Sequence, residues 1–467
     1  MRLENIIHYT KEYIILGIWI AALLAVVFCI GYFIIYRLIM KGQKKPSKRF
    51  VFLTALSFCY MVVILGAVFL NRGSDYGSYI LHPFYSYKKA WYEWSMPGCL
   101  HITLNIGLFI PFGFLLPVWS EKLRKFWKVA GIGLLSTFTI EMIQFFTNRG
   151  IFDVDDLINN IIGVLIGYGL SMIWIGLLHK KDIPFGRIIM YLAPTLVTVA
   201  TFATIFMGHW IQDLGNLAST NSYVVNMKPI ILQSQVHFDS EPGTAMVYKT
   251  PKATKEEAEA FASMLFEHIG TRIDRNENDI YDKGSLFYAE NRKQSVWVND
   301  VGFTYNFTDF SMFDDGVEVV TDADEGTIRM AIAKFGIQVT DRAEFHYNDT
   351  NNEYIFETNM IEQDGFFLKG TLSCQYYSDR TIKKLDNAIS IYEPYKEYEV
   401  ISEAEAFSKL EKGQFKWSVL NKPTGTLKVT DVSLQYELDS KGYYQPVYAF
   451  TVIFNGNDFV ITISAIK

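Results

Sequence analysis

Six long apolar runs fill the first 208 residues of this 467-residue chain, at about 13–36, 50–70, 101–119, 127–147, 157–178 and 187–207. A helix needs about 20 apolar residues to cross a bilayer, and each run is of that order. In hydrocarbon the backbone must satisfy its own polar groups, so such runs fold as helices. The first run is too long for a signal-peptide core, lacks a clear cleavage site and leads into a basic loop. It reads as a retained span.

After residue 208 the chain becomes an ordinary polar sequence rich in Tyr and Phe. Residues 209–467 hold 24 Lys+Arg and 39 Asp+Glu, a net of −15, which leaves 19 basic and 10 acidic residues, a net of +9, for the first half. The acidic balance excludes nucleic acid as a partner of the second half. It also repels an anionic lipid surface outside local basic patches. Of Cys29, Cys59, Cys99 and Cys374, only the last lies in this half, so no disulfide can form within it and its stability rests on its core.

Orientation follows from Lys and Arg. Arg37, Lys41, Lys44, Lys45, Lys48 and Arg49 follow the first span, Lys122, Arg124, Lys125 and Lys128 the third, and Lys180, Lys181 and Arg187 the fifth. Alternating spans place these three loops together, on the cytoplasmic side. The chain is then a multi-pass plasma-membrane protein with both termini and everything after residue 208 extracytoplasmic.

Polar side chains inside spans are costly and mark function or a structural lock. Asn105 sits near the outer end of the third span, and Glu141 and Gln144 near the outer end of the fourth. A turn carrying Arg149 leads into Asp153-Val154-Asp155-Asp156 and Asn159-Asn160. Asp153, Asp156 and Asn160 are spaced to share one helix face, continued by Gly163 and Gly167, a pattern for close helix approach. Arg72, at the outer end of the second span, reaches the same level. These eight residues, Arg72, Asn105, Glu141, Gln144, Arg149, Asp153, Asp156 and Asn160, form a candidate ligand site in the outer leaflet. Arginines there suit a phosphate or carboxylate, and a desolvated carboxyl such as Glu141 or Asp156 suits proton transfer. The structural alternative is a network that only locks three helices together. His82 and His101 also face outward, but they read as hydrogen-bonding residues, and no metal or cofactor is assigned.

The residues from about 55 to 178 resemble the VanZ-like family of bacterial membrane proteins, named for a protein linked to teicoplanin resistance. The resemblance rests on the order Asn105-Ile-Gly-Leu-Phe109-Ile-Pro111-Phe-Gly113-Phe-Leu-Leu-Pro117, Glu141-Met-Ile-Gln144, Arg149, Asp153-Val-Asp155-Asp156, Asn160 and Gly163. Where the family often has Asn before a Pro-Phe pair, this chain has His82-Pro83-Phe84. The resemblance implies a cell-envelope protein that lowers glycopeptide susceptibility. It does not say whether a reaction is catalysed.

The second half reads as an extracytoplasmic α+β domain. Thr254 to Ile269 is an amphipathic helix with Ala258, Phe261, Ala262, Leu265 and Ile269 near one face, and Thr254 with Glu257 makes a capping box. Ser402 to Leu410 is a second helix with a similar start. Strands are expected at 295–298, 317–320, 354–356 and 447–452, and Asn455-Gly456 marks a hairpin before Phe459 to Ile463. Two related helix-plus-antiparallel-sheet lobes are expected, at 251–345 and 400–467. Leu434-Gln-Tyr436 and Tyr443-Tyr444-Gln445-Pro446-Val447-Tyr448 are similar to YycI- and PepSY-type extracytoplasmic modules, which implies binding or regulation. Phosphate loops, paired His ligands and a nucleophile elbow are missing from this half.

Three functions stay open. The chain is a non-enzymatic envelope protein that binds a lipid-linked or cell-wall ligand and lowers glycopeptide susceptibility, with membrane lipids and a lipid-linked cell-wall precursor or an envelope protein as partners. Alternatively it is an enzyme on a lipid or lipid-phosphate head group, with Glu141 or Asp156 as acid–base group and Arg149 as anion clamp. Or it is a non-catalytic scaffold or signalling regulator.

Overall fold

Helices occupy the apolar runs because nothing else satisfies their backbone, and the computed structural model follows that rule. It describes residues 47–66, 78–180, 182–220, 223–281, 284–363, 365–418, 420 and 423–467. The expected span at 13–36 and the candidate Arg72 lie outside the described residues, and the second span is described only to Gly66.

The chain divides into two compact units. One ends at Gln212 and takes in the 417–422 segment; the other runs from Asp213 to Lys416 and from Pro423 to Lys467.

The first unit contains helices α1 (Lys48–Leu65), α2 (Tyr85–Glu93), α3 (Met96–Trp119), α4 (Phe126–Phe146), α5 (Val154–Leu178) and α6 (Phe185–Ile211). Four of them, α3 to α6, are long and apolar enough to cross a membrane. Their outward faces carry large apolar side chains, among them Leu135, Trp127, Phe146, Leu177, Val197 and Trp210. A face this apolar is stable against lipid rather than water.

Helix α5 is the centre of this unit. A Cβ on Gly163 would meet the Ile106 carbonyl oxygen at 2.1 Å, and one on Gly167 would meet that of Ile110 at 2.0 Å. A Cβ on Gly113 of α3 would in turn meet the Val164 oxygen at 2.0 Å. These glycines let the backbones of α3 and α5 touch, as small-residue stripes do in membranes. A short parallel pairing joins β1 (Tyr79–Ile80) to β2 (Phe152–Asp153), tying the loop before α2 to the start of α5.

The second unit is rich in sheet, and its strands fall into two sheets. One carries β3 (Ile230–Ser234), β4 (Gly243–Lys249), β13 (Ser390–Val400), β14 (Gly425–Leu438), β15 (Tyr443–Phe454) and β16 (Asn457–Ser464). The other carries β5 (Ile273–Ile280), β6 (Gly284–Ala289), β7 (Gln294–Asn299), β8 (Tyr305–Asp309), β9 (Glu344–Asn348), β10 (Glu353–Gln363), β11 (Phe366–Tyr376) and β12 (Ile382–Asn387). Pairing of β11 with β13 joins them. Among the described residues, all strand pairings in this unit are antiparallel except β3 with β14.

Helix α7 (Lys255–His268) starts with the full capping box of Thr254 and Glu257, and buries Ala258, Ala262 and Leu265 against the second of these sheets. Helix α9 (Glu403–Glu411) is capped by Ser402, buries Ala406 and Leu410, and stacks Phe407 on Phe238. Helix α8 (Glu325–Ala333) was not expected from the sequence; its capping residue is Asp324. The strand expected at 317–320 is not formed. Only an isolated bridge from Val319 to Tyr377 occurs there, because Asp314-Asp315-Gly316 turns the chain just before it.

Candidate functional site

Four acids and several amides are buried at one end of the first unit, where α3 and α5 begin and α4 ends. Glu141, Gln144, Asp153, Asp155, Asp156, Asn159 and Asn160 are all buried, and Asn105 is half-buried. Asn160 lies six residues into α5, about 9 Å along the helix axis at the usual rise. The network thus reaches into the apolar body of the bundle.

Each side chain has a local reason to be there. Asp153 is the N-cap of α5: its Oδ1 accepts from the Asp155 N–H at 2.9 Å, and its Oδ2 accepts from the Ser86 hydroxyl at 3.1 Å. Its own N–H donates to Glu141 Oε2 at 3.3 Å, linking the start of α5 to α4. Burial pushes the Asp153 carboxyl up to about 6; the Asp155 N–H bond opposes this, and the charges of Asp156 and Asp155 add to it.

Asp156 faces α3. Asn105 donates to it from Nδ2, and His101 Nε2 lies 3.9 Å from the same carboxylate oxygen. The Asp156 side chain is 4% exposed and that of His101 48%, so this pair leads from the buried network to the surface. One turn further, Asn160 donates to Thr137 Oγ1 on α4 at 2.7 Å.

Among the eight candidates, the structure brings Asn105 to Asp156 and Asp153 to Glu141. Asn160 reaches Thr137 instead of another candidate. Gln144 is fully buried on α4, one turn beyond Glu141. Arg149 is exposed in the turn after α4, where its N–H bonds the Gln144 carbonyl at 3.0 Å.

The candidate set omitted several contributors. Asp155, fully buried, accepts from the N–H groups of Phe84 (2.6 Å) and Ser86 (2.7 Å) and so holds the loop before α2. Phe84 is in the left-handed conformation (φ 61°), a backbone state that this carboxylate stabilises. The Pro83-Phe84 pair is therefore tied to the acidic run through Asp155. Tyr87 of α2 donates to Asn159 Oδ1. Asn159 and Asp155 carried a sequence signal as polar residues at the head of an apolar run. Thr137, Ser86 and Tyr87 carried none, since nothing in their own segments distinguishes them. Asn159 Nδ2 and Asn160 Oδ1 are buried with no hydrogen-bond partner among the described residues. One is a donor and the other an acceptor, so a hydroxyl group or a water satisfies either.

Chemically the arrangement offers carboxylates and amides at depth, a histidine at the mouth and an arginine on the adjoining turn. No group of three or more His, Cys, Asp or Glu with metal-holding geometry occurs among the described residues.

Comparison with known proteins agrees with this region's sequence pattern. No curated protein matches the chain. Among solved structures, an uncharacterized protein from Eubacterium rectale ATCC 33656 is 12% identical with a TM-score of 0.27, covering 51% of this chain and 88% of that one. The Bacillus megaterium YpeB C-terminal domain is 11% identical with a TM-score of 0.20, covering 46% of this chain and 95% of that one. The model of the VanZ/LLP1 family matches residues 23–175, which contain the whole buried cluster. The N-terminal membrane region of this chain is VanZ-like.

Proposed function

We propose that this chain is a six-span cell-envelope protein with both termini extracytoplasmic. It binds a lipid-linked or cell-wall ligand at the polar end of α3, α4 and α5, and so lowers susceptibility to teicoplanin-type glycopeptides. The cluster then lies in the outer leaflet, and the second unit stands outside as two related helix-plus-sheet lobes. Arg72 and Arg149 grip the anionic part of the ligand, while Asn105, Asp156 and Asn160 read its polar groups.

One observation carries the reading. Asp156 is buried and hydrogen-bonded by Asn105, yet the half-exposed His101 beside it opens the cluster to the surface. A network serving only to lock helices has no need of such an opening.

The test compares wild type with Asp156→Asn and Arg149→Ala at matched membrane abundance. Lipids and cell-wall species are profiled without bias, and teicoplanin susceptibility is measured. Both variants are expected to lose the protective effect and to shift the same lipid-linked species. Glu141→Gln is expected to be mild, because a glutamine oxygen still accepts from the Asp153 N–H. Wild-type profiles in both Asp156→Asn and Arg149→Ala would contradict the reading.

A second reading, an enzyme on a lipid or lipid-phosphate head group, is favoured by the His101–Asp156 pair. A carboxylate behind an exposed imidazole is a way to orient a general base. Asp156 or Glu141 then serves the proton transfer and Arg149 the anion. His101→Gln separates the two: lost turnover with retained ligand capture supports an enzyme, and an unchanged phenotype removes it.

A further inference from the structure

The second unit holds a cleft of about 760 Å³, within the range of ligand sites, that is separate from the polar cluster of the first unit. Its floor is a consequence of strand register. Strand β11 pairs at Leu368 with Ile361 of β10 on one side and with Ile391 of β13 on the other. These three side chains form one apolar rung across three strands, because residues opposite one another share a face. Leu372, four residues along β11, and Ile389, two before Ile391, extend the same floor. The cleft opens here because β11 changes partner on one edge. Its later residues pair with β12, from Leu372 with Asn387 to Tyr376 with Ile382, and its earlier ones pair with β13. Gly370 lies at this fork with φ 134°, where a Cβ would meet the Ala388 oxygen at 2.3 Å.

One wall is the segment from Ile337 to Thr340, which lies outside any helix or strand. It is held from behind: Arg329 donates to the carbonyl of Val339 (3.0 Å) and to that of Thr340 (3.3 and 3.4 Å), while pairing with Glu325 at 2.8 Å and lying over the Phe356 ring. The N–H groups of Ile337, Gln338, Val339 and Thr340 donate no hydrogen bond among the described residues. The wall is thus a held length of irregular backbone with open donors beside an apolar floor. The rim carries Asp341, Glu362 and Arg342, and the Arg342 guanidinium donates to the Glu362 carbonyl at 3.2 Å. The net charge of this rim is −1, in a half whose net is −15 by the count of 24 basic and 39 acidic residues in 209–467.

We propose that this cleft binds an extended cationic peptide segment. The peptide pairs by its backbone with Ile337–Thr340, places an aliphatic side chain on the Ile361–Leu368–Ile391 rung, and meets the acidic rim with a lysine or arginine. Open backbone donors next to pockets for alternate side chains are the elements of recognition by strand addition. The negative rim selects the sign of the flanking charge and speeds encounter. This site goes beyond the function proposed for the membrane unit and does not depend on it.

The test uses the full chain in lipid nanodiscs and a fluorescent, capped peptide, Lys-Val-Thr-Leu-Thr-Val-Lys. Saturable binding is expected, with at least tenfold slower hydrogen exchange at the 337–340 amides. N-methylation of alternate peptide nitrogens, or Glu in place of both Lys, is expected to weaken binding at least tenfold. Val339→Pro removes one donor from the wall, and Leu368→Asp charges the floor; each is expected to weaken binding tenfold with the melting transition of the chain retained. Asp156→Asn is expected to leave it unchanged, which separates this site from that of the membrane unit. Absence of peptide binding, equal binding of the N-methylated peptide, or occupation of the cleft by dodecanoate alone would overturn the proposal.

Discussion

The two units differ most in the acids and amides they bury. At the polar end of α3–α5, buried acids and amides are joined by hydrogen bonds across α2, α3, α4 and α5. In the second unit, burial is dominated by Leu265, Phe266, Phe307, Ile328, Phe356 and Leu385, and carboxylates such as Asp213 sit at the surface. The difference teaches where single substitutions act. In the second unit, stability is lost through volume. In the first, lipid already covers apolar surface, so specific contacts between helices rest on glycine approach and polar bonds.

The largest expected effect is in the second unit. Phe356→Ala empties a fully buried site and is expected to cost about 3–5 kcal/mol, measured by chemical or thermal unfolding. A loss under about 1 kcal/mol would mean that this core is not the source of stability.

Next comes Asp155→Ala, which strands the N–H groups of Phe84 and Ser86. Two charge-assisted bonds are lost, so about 3 kcal/mol is expected. The readout is protease sensitivity of the 82–88 loop and the melting temperature in detergent. Asp155→Asn, which keeps one acceptor, is expected to fall between.

Gly163→Ala is expected to cost about 1–3 kcal/mol, because the added methyl meets the Ile106 backbone and not a movable side chain. Gly131→Ala, with nothing within 4 Å of its Cβ, is the control and is expected to be neutral or slightly stabilising. Equal melting temperatures for the two would break the account of close helix approach.

The smallest effect concerns pH. Asp213 accepts from Tyr398, Tyr395 and Lys396, and these bonds hold its carboxyl below the usual range. A lowered carboxyl stabilises the fold above its unfolded pKa, and that gain fades as pH falls through the folded value. The melting temperature of wild type is therefore expected to drop more than that of Asp213→Asn as pH goes below about 4. The site is exposed, so the difference is small. Parallel curves would show that these bonds add nothing.

Much of this contrast was legible in the sequence, for identifiable reasons. Asn105, Asp156 and Asn160 stood out because polar residues interrupt apolar runs. Gly163 and Gly167 continued their stripe, and both press on α3. Helices at Lys255–His268 and Glu403–Glu411 followed from their capping residues and apolar spacing. The Asn455-Gly456 turn joins β15 to β16 as its chemistry requires. What stayed hidden depends on distant partners. Tyr87 meets Asn159 across 72 residues of chain, and Asn160 meets Thr137 across 23. Local pattern cannot assign such pairs. Val317–Val320 has strand composition but pairs only through the isolated bridge from Val319 to Tyr377, which shows that β propensity is context. The fork at Gly370 is hidden for the same reason, since it arises from two strands sharing one edge of β11.

The account stands on the buried cluster opening toward the extracytoplasmic face. Site-directed thiol labelling tests this most directly. With Cys29, Cys59, Cys99 and Cys374 replaced, a single cysteine is placed at Arg149, and intact cells are treated with a membrane-impermeant maleimide. Labelling in intact cells is the predicted result. Labelling only after the membrane is permeabilised would place the turn in the cytosol and contradict the account.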